Sequence, residues 1–278
     1  MTSKIAVVAL IATVLVAVLT WQIVTPLRRR RRRQRLLKTP LSVARRETVA
    51  QYVAIVAHMP PPLQSRLEGL VNVFLDEKRF IGCAGLQVDD TIAVVIATQA
   101  CLLLVNRPGG CFDPLHSVLV YPRAFYVEHE NVDEHGVISR DRRLLSGESW
   151  SEGQVVVSWD DARSGGAHHA DGYNVVVHEF AHQLDGETGT VNGAPLLDDD
   201  EGTSRWAQTM REEYAALKSA VGRGAETLID PYGATHPAEF FAVLSEVFYE
   251  QPRALRDEHP SLYQRLREFY HVDPAQWR

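Results

Sequence analysis

Cysteine is scarce: Cys83, Cys101 and Cys111 are the only three in 278 residues, an odd number without the C-x-x-C spacing of a metal knuckle. This argues against a disulfide framework and a cysteine-ligated metal, and suits small buried apolar residues in a reducing compartment. Acid is missing from the first 38 residues, which hold nine of the 29 lysines and arginines. The rest of the chain therefore sets 20 bases against 35 acids, a net −15. Such a body lacks the positive field that neutralises phosphates, so no direct nucleic-acid partner is expected. Internal repeats are absent, and the one biased tract is the arginine run Arg28 to Arg33. A 45% hydrophobic content is ample for a packed core.

The segment IAVVALIATVLVAVLTWQIV, Ile5 to Val24, carries no charge. As a helix at ~1.5 Å per residue it spans ~30 Å, the thickness of a bilayer's hydrocarbon. It reads as a transmembrane helix; in a signal peptide the basic block precedes a shorter apolar run, whereas here it follows. Six consecutive arginines against the lone Lys4 predict the N-terminus outside and everything after residue 28 in the cytoplasm. The expected organisation is a membrane helix over 1–27, a basic juxtamembrane linker over 28–62 and one domain over 63–278. Beside a membrane helix the arginines act as an anchor in contact with anionic lipid rather than as a nucleic-acid arm.

Within that frame, Val43 to Ala57 is read as helical, and after Pro60–Pro61–Pro62 the apolar positions Leu63, Leu67, Leu70, Val71, Phe74 and Leu75 recur at helical spacing. Ala93 to Val105 suits a buried helix, and Val118 to Tyr121 a strand ending at Pro122. Val137 to Ser139, followed by a charged turn Arg140 to Arg143, and Val155 to Trp159 are read as further strands. Asp160 to Asp171, rich in Gly and Asp, is read as a loop. Helices are expected over Trp206 to Val221, over EFFAVLSEVFYE behind Pro237, and over SLYQRLREFY behind Pro260.

Chemistry concentrates in NVVVHEFAHQLDGE, residues 174 to 187. At ~100° per residue, Val176, Val177, Phe180, Ala181 and Leu184 share one side of a helix and His178, His182 and Asp185 the other. Imidazoles at i and i+4 can reach one tetrahedral ion at ~2.0 to 2.1 Å, while Glu179 lies beside the position where water binds and can shuttle its proton. A catalytic zinc takes a third protein ligand. Glu239 and Glu246, two turns apart in the downstream helix, both qualify on spacing; Glu250, near the helix end, qualifies less well. The competing reading is a core helix with two hydrogen-bonded histidines. Asp185 can orient an imidazole or simply end the helix, and His168 and His169 read as ordinary loop histidines.

Together, GYNVVVHEFAHQLDG, DPYGATHPAEFFAVLSEVFYEQP, KRFIGCAGLQV, ATQACLLL, HSVLVYP and VVSWDD resemble the Mlc titration factor A family of zinc-dependent peptidases. The resemblance spans roughly residues 63 to 274. It implies an α+β, zincin-like (gluzincin) fold, peptidase activity of aminopeptidase character on peptide or protein substrates, and Zn2+ held by His178, His182 and Glu239. Glu179 matches the family's catalytic acid/base and Tyr232 an active-site tyrosine able to donate to an oxyanion. Zincins lay substrate along an edge strand, a role expected here for Val155 to Trp159. The family's named member is soluble and binds a transcriptional repressor of glucose uptake; the N-terminal apolar run and arginines depart from that pattern. Two other functions compete with the peptidase: sequestering a transcriptional regulator with hydrolysis incidental, and a structural zinc site with four protein ligands.

Overall fold

A computed structural model describes residues 24–132, 138–145, 147–150, 153–168, 170–197 and 199–277. The expected membrane helix, Ile5 to Val24, lies almost wholly outside the described residues; among those described, no helix is long and apolar enough to cross a membrane. The chain is a helix-rich α+β protein. Helix α1 (24–36) carries the arginine run and leads to α2 (Val43–Tyr52), a short 3-10 turn (Ala54–His58) and α3 (Pro61–Glu77). Pro61 and Pro62 occupy the first helical positions of α3, where a missing N–H costs nothing. Leu41, Val49, Val53, Ile55 and Met59, from the stretch read as linker, are buried in the same core as α3.

Four strands form one sheet in the order β1 (Arg79–Gly82), β2 (Ser117–Tyr121), β6 (Gln154–Ser158), β5 (Gly147–Trp150). The first three run parallel, with Val118 beside Val155 and Val120 beside Val157, all buried; β5 closes the row antiparallel to β6. Helix α4 (Asp90–Leu102), capped by Asp89 accepting from the Ile92 N–H at 2.9 Å, is buried without a break from Val94 to Leu102. A helix apolar on all sides belongs inside, as the run Ala93 to Val105 predicts. Phe74, Phe112 and Phe180 cluster with ring centroids 4.9 to 6.3 Å apart and tie α3 to the metal-motif helix described below.

Three expectations are corrected. Arg140 to Arg143 is not a turn but the middle of β4 (Ile138–Leu145), which pairs antiparallel with β3 (Phe125–Val132) in a separate two-stranded ribbon. Asp160 to Asp171 is not all loop, because Trp159–Ala167 forms helix α5 behind an N-cap from Ser158. Its glycines permit close packing: a Cβ on Gly166 would strike the Tyr52 carbonyl oxygen, and one on Gly165 would sit 3.2 Å from the Asn174 backbone. The strand before the motif is not an edge either, since β6 is paired on both sides and β5 occupies that border.

Candidate metal centre

The motif folds as α6 (Val175–Asp185). Asn174 starts it, its Oδ1 accepting the Val177 N–H at 3.0 Å, and Gly186 follows it. Val176, Val177, Phe180, Ala181 and Leu184 are fully buried, so the dry face anchors the helix while the other face looks toward α8 (Pro237–Glu250). Helix α8 begins with Pro237, and His236 caps it through Nδ1 to the Ala238 N–H at 3.2 Å. It is buried throughout from Phe240 to Glu250. Glu239 sits in its first turn, where the helix dipole favours a carboxylate.

That packing brings Glu239 Oε2 to 3.0 Å from His178 Nε2 and 3.3 Å from His182 Nε2. One donor atom from each of the three lies within 4.8 Å of the others. Ligands ~2.0 to 2.1 Å from one tetrahedral centre lie roughly 3.3 Å from one another, so the donor set and its spacing fit a single divalent ion. Two imidazole nitrogens with one carboxylate oxygen are donors suited to zinc.

The opposite edge of the His178 ring is held as well. Its Nδ1 lies 2.7 Å from Glu246 Oε1, and Glu246 Oε2 accepts the Asn174 backbone N–H at 2.6 Å. Both glutamates proposed from spacing thus reach the same imidazole, Glu239 at Nε2 and Glu246 at Nδ1. Glu246 is therefore the outer partner that orients the ring, an arrangement that strengthens a metal-bound histidine. The Asn174 side chain adds Nδ2 to Glu250 Oε1 at 3.2 Å, so one residue joins the α6 cap to two buried acids of α8. Sequence reading assigned Asn174 no role; its place as cap residue one turn ahead of His178 is the signal that could have found it.

Burial by itself would depress His178, but the Glu239 and Glu246 carboxylates outweigh it and hold its pKa well above the ordinary imidazole value. Burial would likewise raise Glu239, yet the two imidazoles prevail and keep its carboxyl far below the usual range. Glu246 and Glu250 go the other way: burial raises Glu246 despite His178, and lifts Glu250 to about 8 despite Asn174. The three acids of this cluster are thereby split between one held ionised, Glu239, and two pushed toward the neutral form, Glu246 and Glu250.

Glu179 is buried and borders a hollow of about 390 Å³ together with His178 and Tyr232. Tyr232 rides on the 3-10 turn Pro231–Ala234, whose cap Asp230 accepts the Tyr232 N–H at 2.7 Å. Its ring centre is 6.1 Å from that of His178, and the side chain is half exposed at the mouth. Asp171 and Asp230 line the same hollow, and no lysine or arginine does among the described residues. Asp185 does not line the hollow; its Oδ2 accepts the Gly193 N–H at 2.7 Å, while Trp206 Nε1 donates to the Gly193 carbonyl at 3.1 Å. His168 caps the end of α5, exposed, and takes no part in the donor cluster; His169 lies outside the described residues.

Two imidazoles and a carboxylate closing on one point, with a buried glutamate alongside, form the donor set of a metal-dependent hydrolase. Residues 27–271 match the family described as glucose-regulated metallo-peptidase M90, and the chain belongs to that family. It is similar to an uncharacterized protein of Synechocystis, 36% identical over 244 residues, covering 87% of this chain and 89% of the relative. It is also similar to Mlc titration factor A of Klebsiella pneumoniae, 35% identical over 227 residues, with 81% and 84% covered. The protein of the same name from Salmonella arizonae is 34% identical over 228 residues, with 81% and 89% covered.

Proposed function

We propose that this chain is a zinc-dependent peptidase of zincin-like fold, anchored by its N-terminal apolar run with the catalytic domain on the cytoplasmic side. The observation that carries the reading is the Glu239 oxygen lying 3.0 and 3.3 Å from the two imidazole Nε2 atoms, with Glu179 buried next to them. His178, His182 and Glu239 hold the ion. When bound, zinc supplies Lewis acidity to a peptide carbonyl and to water. Glu246 accepts the Nδ1 proton of His178 and so directs its Nε2 lone pair toward the site. Glu179 takes the proton of the attacking water and hands it to the departing amine. The Tyr232 hydroxyl donates to the oxyanion that develops on the substrate carbonyl.

Aminopeptidase character is supported by the anionic hollow: Asp171 and Asp230 offer carboxylates to a substrate ammonium, and no fixed cation on its lining competes. The test is Glu179→Gln in the full chain, with metal content and hydrolysis of blocked and unblocked peptides measured together. Retained metal with turnover reduced ~10²- to 10⁴-fold is expected, and with it cleavage of unblocked peptides alone. Full turnover in the variant overturns the assignment of Glu179.

A second reading comes from the relatives' name, which designates a factor that titrates Mlc. On that reading the chain sequesters a transcriptional regulator. Glu179→Gln separates the two, because a binding protein keeps its regulatory effect when hydrolysis is lost.

A further inference from the structure

The arginine run is divided between two faces of α1. Arg29 reaches Glu77 at 3.3 Å, Arg32 pairs with Asp76, and Arg33 reaches Asp113 at 3.0 Å and Glu77 at 3.9 Å. At ~100° per residue these three and the partly buried Leu36 fall on one stripe about 100° wide. Arg28, Arg31 and Arg35 gather within about 60° on the other side, with Arg30 beyond Leu27 on that same side. All four are exposed, and none has an ion pair among the described residues. Leu27, between them, is 50% exposed.

We propose that this outer face of α1 docks on an anionic bilayer surface while its inner face clamps the peptidase domain, so that one helix fixes the domain against the membrane. Three observations converge. The outer face combines arginines with an exposed leucine, the composition of a helix lying at a lipid interface. In the sequence, the described helical residues 24–36 follow directly on the bilayer-length apolar run Ile5 to Val24. The body that follows residue 38 carries a net −15 and is repelled by anionic lipid, so the outer face of α1 is the surface by which the chain can approach it. The inner pairing transmits that attachment to the domain, since the Glu77 side chain is only 6% exposed at its end of α3.

This inference rests on the anchored reading above, and the experiment keeps the two apart. The full chain is reconstituted in nanodiscs of phosphatidylcholine, with or without one-third phosphatidylglycerol. Arginine modification by phenylglyoxal is then read residue by residue by mass spectrometry. Each arginine at an anionic surface shifts the docking equilibrium about fivefold, hence about a hundredfold for three. Arg28, Arg31 and Arg35 should therefore be protected severalfold in the anionic discs, Arg29 and Arg32 should not change between discs, and 1 M NaCl should erase the protection. Equal rates in both discs overturn the proposal. So does stronger protection by a DNA duplex than by phosphatidylglycerol, which would assign the face to nucleic acid. If the chain fails to enter neutral discs, the anchor reading fails; protection by added phosphatidylglycerol vesicles would then uphold the docking face alone, and its absence would sink both.

Discussion

Glu250 offers the sharpest test of how the acids behind α6 are balanced. Its carboxyl is buried, one oxygen accepts from Asn174, and burial lifts its pKa from 4.5 to about 8. Between those two values the native chain keeps a proton that the unfolded chain has released, so stability falls as pH rises. Below the window both states are protonated, and above it both are ionised. Each pH unit inside it costs ~1.4 kcal/mol, about 2 to 3 kcal/mol from pH 5 to pH 7. Glu246 contributes with the same sign, whereas Glu239, held ionised, contributes stability that is lost as pH falls. Only a difference measurement isolates Glu250. Glu250→Gln keeps the size and an oxygen for Asn174 but cannot ionise. Urea unfolding of wild type and variant at pH 4.5, 6, 7 and 8 should give equal stabilities at the lowest pH. At pH 7 the variant should gain about 2 to 3 kcal/mol, or roughly 5 to 10 °C in Tm. A gap that does not change with pH, or a variant less stable at pH 7, refutes the argument.

Glu246→Gln removes the charge behind His178 and should weaken metal affinity about 10- to 100-fold, read by competition with a chromophoric chelator. Tyr232→Phe should lower kcat about 10²-fold with KM and metal content nearly unchanged; an unaltered kcat would reduce Tyr232 to a rim residue. Gly193→Ala should cost about 2 to 4 kcal/mol by urea unfolding, because Gly193 has φ +80° and a Cβ there would lie 2.5 Å from the Pro237 carbonyl oxygen at the head of α8. An unperturbed Gly193→Ala would show that α8 is positioned by other contacts.

Much of the site was legible because local signals agreed. An apolar stripe and a following glycine mark α6, and the i, i+4 histidines then had to share its open side. The choice between Glu239 and Glu246 was not legible from spacing, since residues seven apart return to the same side of a helix. Both do reach His178, and only packing of α8 on α6 decides which nitrogen each meets. Helix α5 was hidden because Gly165 and Gly166 look like loop residues, yet they serve close contacts with Asn174 and Tyr52 that no local pattern encodes. The β3–β4 ribbon escaped because ISRDRRLL carries four charges in eight residues and lacks alternating apolar positions. The border role expected of β6 failed for a similar reason, since neighbours in a sheet are set by the fold and not by the strand's own residues.

The asparagine bridge has a consequence for the life cycle of the centre. Because Asn174 and Glu246 secure the first histidine from behind, its bearing is fixed by ordinary peptide and side-chain bonding before any ion arrives. A chelator should then strip the protein to a folded, inert form that regains activity on simple resupply, unlike small zinc modules that unravel when emptied. Cellular metal supply could in that way set the active fraction without any new synthesis.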